Sequence, residues 1–134
     1  MSIKKGQIYD VCLDPVVGHE IGKQRPALVI SNNKQNENAA TITVIPVTDY
    51  EGKLNFAEVF LPKGCGNLTK DSRAKCHQIR SIDKQLRIRS YRGTIDDEKL
   101  HEIELSIKLH LGIETDEDRL ELFQSGKILP ARKK

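Results

Sequence analysis

No C-x-x-C pair occurs in these 134 residues, and the three cysteines, Cys12, Cys65 and Cys76, are an odd number. Both facts argue against a disulfide framework, which needs pairs, and against a zinc knuckle, which needs close ligand spacing. The gap between Cys65 and Cys76-His77 matches no usual ligand spacing, so the thiols are expected to be reduced and metal-free. Long apolar runs are missing as well. None approaches the ~18 residues of a membrane-spanning helix, and the opening Met1-Ser2-Ile3-Lys4-Lys5-Gly6 lacks an export signal's apolar stretch. The expectation is a cytoplasmic protein with no membrane contact. Carboxylates do not cluster as a magnesium site would require, no cofactor is expected, and there are no internal repeats or low-complexity segments.

What is present fits one soluble globular domain. With 37% hydrophobic and 31% charged residues and a mean hydropathy of −0.50, the chain has enough apolar content for a single core. At this length the core buries about two-thirds of the unfolded surface. The net charge of +3 is unevenly spread: residues 1–95 carry 15 Lys/Arg against 9 Asp/Glu, whereas residues 96–113 carry 2 against 5. Arg73, Lys75, Arg80, Lys84, Arg87, Arg89 and Arg92 face only Asp83 within their segment. Such a stretch is suited to a polyanion such as RNA, or to an acidic protein segment, although a solvated face would look the same.

Hydrophobic periodicity predicts short strands followed by a helix, an α+β domain with a mostly antiparallel sheet. Residues 7–14 alternate, with Tyr9, Val11 and Leu13 on one side and Asp10 and Asp14 on the other, as a half-buried strand does. The continuous apolar run Ala27-Leu28-Val29-Ile30 reads as a central strand buried on both faces. Further strands are expected at 40–48, with Pro46 implying an edge or bulge, and at 55–61, 75–81 and 87–93, with a single helical turn at 83–86. Thr94 to Asp97 reads as a capping box. Leu100, Ile103, Ile107 and Leu111 then mark an amphipathic helix that Gly112 ends. His101 and His110, nine residues apart, fall on opposite faces of it. Beyond Ile113 the sequence changes character, with Glu114 and Asp116 to Asp118, then Leu120, Leu122 and Phe123, then Arg132-Lys133-Lys134. Residues 1–113 are taken as the domain and 114–134 as a C-terminal extension, either a short helix capped by Thr115 and stopped at Gly126 or a mobile tail.

The chemistry is expected where a polar loop carrying His19, Glu20, Lys23 and Arg25 runs straight into Pro26 and the central strand. If residues 26–33 pair with 40–47 through a symmetric hairpin, paired positions sum to about 73, which sets Arg25 opposite Thr48. A guanidinium and a hydroxyl would then share one end of the sheet, close enough to hold a single phosphate. Were the polyanion an RNA cut without a metal, the reaction would need a base for the ribose 2′-hydroxyl, a proton for the departing 5′-oxygen, and donors for the crowded phosphorane. Arg25 suits the donor role, since its planar fork reaches two oxygens and its high pKa makes it a poor acid. Thr48 would add one hydrogen bond. Glu20, His19 and His77 are the candidates for proton transfer, and spacing does not choose among them. A surface pairing of Arg25 with Glu20 or Asp49 is the ordinary alternative.

Three ordered blocks resemble the MazF/PemK toxins, sequence-specific endoribonucleases of toxin-antitoxin systems. The first is D-P-x-x-G-x-E-x-G-x-x-R-P over residues 14–26, where Glu20 and Arg25 match the family's Glu and Arg. The second is Val44-Ile45-Pro46-Val47-Thr48. The third is His77-Gln78-Ile79-Arg80-Ser81-Ile82-Asp83-Lys84. The resemblance, spanning about Lys4 to Ile113, implies a small twisted antiparallel sheet or SH3-like barrel (the MazF/CcdB-like toxin fold) with a C-terminal amphipathic helix. It also implies a catalytic pair Arg25 and Thr48 with Glu20 secondary, and RNA contacts from His19, Lys23, His77, Gln78 and Arg80. The expected substrate is single-stranded mRNA, cut without a metal to 2′,3′-cyclic phosphate and 5′-hydroxyl ends. The expected partners are a second copy of the chain and an acidic antitoxin. Other readings are a non-enzymatic CcdB-like gyrase inhibitor and an inactive RNA-binding relative. Two departures stand out: His77 occupies a position where many relatives carry an acidic residue, and the extension has no counterpart in the family core.

Overall fold

A computed structural model describes residues 2–128. Seven strands and three helices follow the order β1 (Gln7–Cys12), β2 (Gln24–Val29), α1 (Asn33–Asn38), β3 (Thr41–Asp49), β4 (Glu58–Leu61), β5 (Ser72–Lys75), β6 (Arg80–Asp83), β7 (Ile88–Thr94), α2 (Asp97–Leu111) and α3 (Asp116–Gln124). Every ladder is antiparallel. The sheet runs β4-β5-β3-β2-β1-β7, with β6 paired to β3. The expected α+β class and antiparallel sheet are therefore found. The ladder does not close between β4 and β7, so the architecture is an open sheet with C-terminal helices rather than a closed barrel.

Two apolar clusters hold the fold. Ile8, Leu28, Ile45, Val47, Val59, Leu61, Ala74 and Ile103 lie between one face of the sheet and α2. Tyr9, Val11, Leu13, Ala27, Val29, Ile42, Val44 and Ile82 fill the other face. The alternation read in β1 put Tyr9, Val11 and Leu13 on the buried side, which they occupy. Ile8, however, is also fully buried, because β1 lies between β2 and β7 and is covered on both faces. The α2 helix begins at Asp96, whose carboxylate accepts from the Lys99 amide at 2.7 Å, two residues later than the predicted capping box, and ends at Gly112 with φ 72°. Ile103 is fully buried, and Leu100 and Ile107 pack beside the same cluster, whereas Leu111 is exposed. Burying one such aliphatic side chain contributes about 2 kcal/mol.

Three expectations change. The connection between β2 and β3 is not a bare loop but carries α1, capped by Asn32. The turn at 83–86 is not helical; the Asp83 carboxylate accepts from the Gln85 and Leu86 amides. The strand predicted at 75–81 is two strands, β5 and β6, separated by a single turn of 3-10 helix at Cys76–Gln78. Both lie on the same edge of β3, β6 against residues 41–44 and β5 against 47–49. Pro46 stands in the gap between them, so its effect as a non-donor appears as a change of partner rather than as a sheet edge.

The extension is in part a docked helix. The Thr115 hydroxyl accepts from the Asp118 amide and the Asp118 carboxylate from the Thr115 amide, a complete capping box. Leu122 is buried, and Lys108 and His101 of α2 pair with Asp118 and Glu121 at 3.2 and 2.7 Å. Residues 129–134, including the basic end Arg132-Lys133-Lys134, lie outside the described residues. No described helix is long and apolar enough to cross a membrane.

Candidate active site

Counting along the β2–β3 hairpin places Arg25. The observed partners Ala27 with Pro46, Leu28 with Ile45 and Val29 with Val44 all sum to 73, and the same register carried two residues further sets Arg25 level with Thr48. The ladder itself stops at Ala27. Both side chains line a cleft of about 520 Å³ that also includes Asp14, Glu20, Lys23, Glu51, Arg73 and Lys75. They also border a smaller cleft of about 210 Å³ lined by Gln24, Leu68, Thr69, Lys70, Ser72 and Arg92. The pair thus forms a ridge between two open depressions, a shape that lets an extended chain cross it.

The loop before Arg25 is held from several sides. Lys23 takes up φ 66°, and its amide donates to the Asp14 carboxylate at 2.8 Å while its carbonyl accepts from the Leu13 amide at 2.8 Å. The Arg25 Nε donates to the Gly22 carbonyl at 2.9 Å. A side chain at residue 22 would run into the Asp14 carboxylate and the Val16 methyls, which accounts for glycine there. Glu20 Oε1 accepts from the Val17 amide at 2.6 Å, tying off the loop tip. Among the described residues no ion pair involves Arg25, so the surface pairing with Glu20 or Asp49 is not formed. Its charge is available to a ligand.

The other predicted residues are distributed unevenly. Lys23 and Glu20 line the cleft; His19 is exposed on the loop and does not. Arg80 points at the loop's base, donating to the Leu13 carbonyl at 3.2 Å. Gln78 is half-buried in the 3-10 turn. His77 faces α2, its ring centroid 6.4 Å from that of His110. Burial, and then the ammonium of Lys75, holds its pKa below the ordinary value. The 3-10 turn interrupts the strand predicted at 75–81, so the direction of His77 does not follow strand alternation.

Sequence reasoning missed Arg73 and Glu58. Arg73 Nε donates to the Thr48 hydroxyl at 3.2 Å, and Arg73 Nη1 lies 3.5 Å from Glu58 Oε1. Glu58 is 1% exposed, and its other oxygen is 3.0 Å from Lys75 Nζ. Burial works to raise the Glu58 pKa, but the Asn55 amide, Lys75 and Arg73 outweigh it and hold the carboxyl below its usual value. The basic segment 73–92 is not an array of free charges. Arg73 and Lys75 pair with Glu58, and Arg92 with Asp10. Arg80, Lys84, Arg87 and Arg89 donate to backbone carbonyls. A neutral carbonyl leaves the positive charge uncompensated, so the second group still contributes a cationic field.

The cysteines are free thiols. Cys76 is buried in the core, and that burial pushes its pKa up to about 12. Among the described residues no three His, Cys, Asp or Glu side chains converge as a metal site would require.

Comparison with known proteins adds to this geometry. The family described as PemK-like, MazF-like toxin of type II toxin-antitoxin system matches residues 4–111. Endoribonuclease MazF9 of Mycobacterium tuberculosis is 35% identical over 116 residues, 83% of this chain and 98% of the relative. The crystal structure of MazF (Form-I) from Deinococcus radiodurans superposes with a TM-score of 0.71 at 25% identity, covering 84% of this chain and 98% of that one. The MazE-MazF (Form-II) structure from the same organism gives a TM-score of 0.69 at 26% identity, covering 85% and 99%.

Proposed function

The chain belongs to the PemK/MazF family of type II toxin-antitoxin toxins, and from that membership we propose how this endoribonuclease toxin cuts its substrate: single-stranded mRNA crosses the Arg25–Thr48 ridge and is cleaved there at a short sequence. The observation that supports the reading is the β2–β3 register, which carried two residues past Ala27 brings Arg25 level with Thr48, together with the open cleft that both residues line.

In the proposed reaction the ribose 2′-oxygen attacks phosphorus, its proton passes to a base, and the bond from phosphorus to the 5′-oxygen breaks as that oxygen takes up a proton. The products are a 2′,3′-cyclic phosphate and a 5′-hydroxyl, with no water consumed. Arg25 donates its two terminal nitrogens to the nonbridging oxygens as charge builds in the phosphorane, and Thr48 adds a third hydrogen bond. Glu20 is the predicted proton-transfer group best placed for the role, since it lines the cleft whereas His19 and His77 do not. Lys23 is placed to contact the backbone of the entering RNA. His19, Gln78 and Arg80 remain as outer contacts, and Arg80 more directly supports the loop. The cleft's four carboxylates, Asp14, Glu20, Asp49 and Glu51, do not converge as a metal site would require, and four cations, Lys23, Arg25, Arg73 and Lys75, stand beside them, so the reading gives the phosphorane charge to cationic donors rather than to a metal.

The working unit is proposed to be a cytoplasmic homodimer restrained by an acidic antitoxin. The MazE-MazF structure supports a protein partner of this kind, and the positive field of the sheet region supports an acidic one. Purified protein in EDTA should cut a long single-stranded RNA at a few short motifs, and 5′-end sequencing should identify them. Arg25→Ala should lower the cleavage rate by at least about 100-fold, the usual consequence of losing one charged donor at a developing anion. Intact RNA together with blocked DNA supercoiling would replace this reading with gyrase inhibition.

A further inference from the structure

Thr48 lies between two arginines, not beside one. The β2–β3 register brings Arg25 level with it on one side, and the β3–β5 ladder pairs it directly with Arg73 on the other. Arg73 Nε gives its hydrogen to the Thr48 oxygen at 3.2 Å. A hydroxyl that accepts in this way has its own hydrogen free to donate elsewhere, and Thr48 lines an open cleft together with Arg25 and Arg73.

Behind Arg73 stands an anchor. Glu58 opens β4 opposite Lys75 in the β4–β5 ladder, with Arg73 two residues before Lys75 on the same face of β5. A carboxylate that is 1% exposed must be paired to be tolerated. Glu58 is paired three times, by the Asn55 amide at 3.0 Å, by Lys75 at 3.0 Å and by Arg73 at 3.5 Å. Glu51 approaches the outer edge of the guanidinium at 3.7 Å. Arg73 therefore does not sweep the cleft as a free arginine would; its orientation is set from beneath and from the side.

We propose that Arg73 is a positioning residue for cleavage, anchored by buried Glu58, which orients the Thr48 hydroxyl so that its hydrogen points at the scissile phosphate. This rests on the reading of the cleft as the site of RNA cleavage. Because Arg73 acts through Thr48, its removal should cost much in the presence of the hydroxyl and little in its absence.

The test is a double-mutant cycle on single-turnover cleavage of a fluorogenic oligonucleotide carrying the mapped motif. Arg73→Gln is expected to lower the cleavage rate about 10- to 100-fold, in line with one hydrogen bond from a charged donor, with KM changed less than about threefold because binding is not its role. Thr48→Val should lower the rate similarly, and the double variant should be no slower than Thr48→Val within about threefold. Melting curves report whether each variant is folded. If Arg73→Gln is poorly folded, Arg73→Lys, which can still pair with Glu58 but loses the Nε donor, replaces it in the same cycle. A rate within threefold of wild type, a loss expressed in KM alone, or losses that multiply in the double variant would each overturn the inference. Should wild type cut and Arg25→Ala not, while Arg73→Gln cuts normally, only this inference falls; an inert wild-type protein removes the cleavage reading and the inference together.

Discussion

Arg25 and Thr48 were legible from the sequence because their juxtaposition needs only one hairpin and one count. The count assumed a connection symmetric about residues 36 and 37, and α1, which fills part of that connection, left the register where counting had set it. Arg73 was not legible in the same way. It meets Thr48 through a ladder joining residues 25 apart in sequence, and no local pattern says that β5 pairs with β3 rather than with a nearer strand. For His77 the reason is simpler: a 3-10 turn interrupts the strand predicted at 75–81, so its direction could not be read from alternation. Its Nδ1 is buried without a partner, and burial together with Lys75 favours the neutral ring in the folded protein. The folded pKa thus lies below the unfolded value of about 6.5, so as pH falls the unfolded chain takes up a proton first. The stability this gives is complete above about pH 6.5 and is lost as pH drops through the folded value. His77→Phe should therefore flatten the acid limb of Tm against pH relative to wild type; identical slopes below pH 6.5 would show that the ring does not contribute.

At the scale of the element, the loop from Leu13 to Gln24 is a scaffold for one side chain. Arg87 donates to the Cys12 and Asp14 carbonyls at 3.1 and 2.7 Å and Arg80 to the Leu13 carbonyl at 3.2 Å. Two arginines of the basic segment thus brace the base of the loop from β6 and the turn before β7. Charge counting located that segment but could not tell bracing from RNA contact, since both need exposed cations. The spacing of Asp14, Gly22 and Arg25 now has a physical cause: the carboxylate holds the Lys23 amide, glycine lets the carboxylate approach, and the Gly22 carbonyl holds the guanidinium. Gly22→Ala pushes the new methyl into Asp14 and Val16, and one of these contacts must yield. We expect RNA cleavage to fall at least about 10-fold, as a misplaced charged donor forfeits most of its hydrogen-bond contribution, while Tm moves by only a few degrees because Gly22 itself belongs to neither apolar cluster. A Tm loss large enough to explain the lower rate would instead make the glycine a stability residue.

For the whole molecule, the sequence left residues beyond 113 as either a short helix or a mobile tail, and neither reading says whether they reach the cleft. The acidic cluster and short apolar group fit both, because a nine-residue helix has too little periodicity to reveal a docking face. In the structure α3 lies against α2: Leu122 is buried, Leu120 and Phe123 stay exposed, and the cap pair Thr115–Asp118 is reinforced by Lys108. Lys127 Nζ, just past the helix, donates to the Glu58 carbonyl at the start of β4. Every residue lining the two clefts comes from positions 14–92, so α3 does not cover the ridge. Stability and cleavage should therefore separate here. Leu122→Ala empties a buried site and should lower unfolding free energy by about 2 kcal/mol, read as a reduced denaturation midpoint with an unchanged slope. The cleavage rate at 25 °C should stay within about twofold of wild type, since Leu122 lines neither cleft and distant sites act independently. A tenfold slower yet fully folded variant would show instead that α3 is coupled to the cleft, and the Lys127 contact behind Glu58 would be the route to examine.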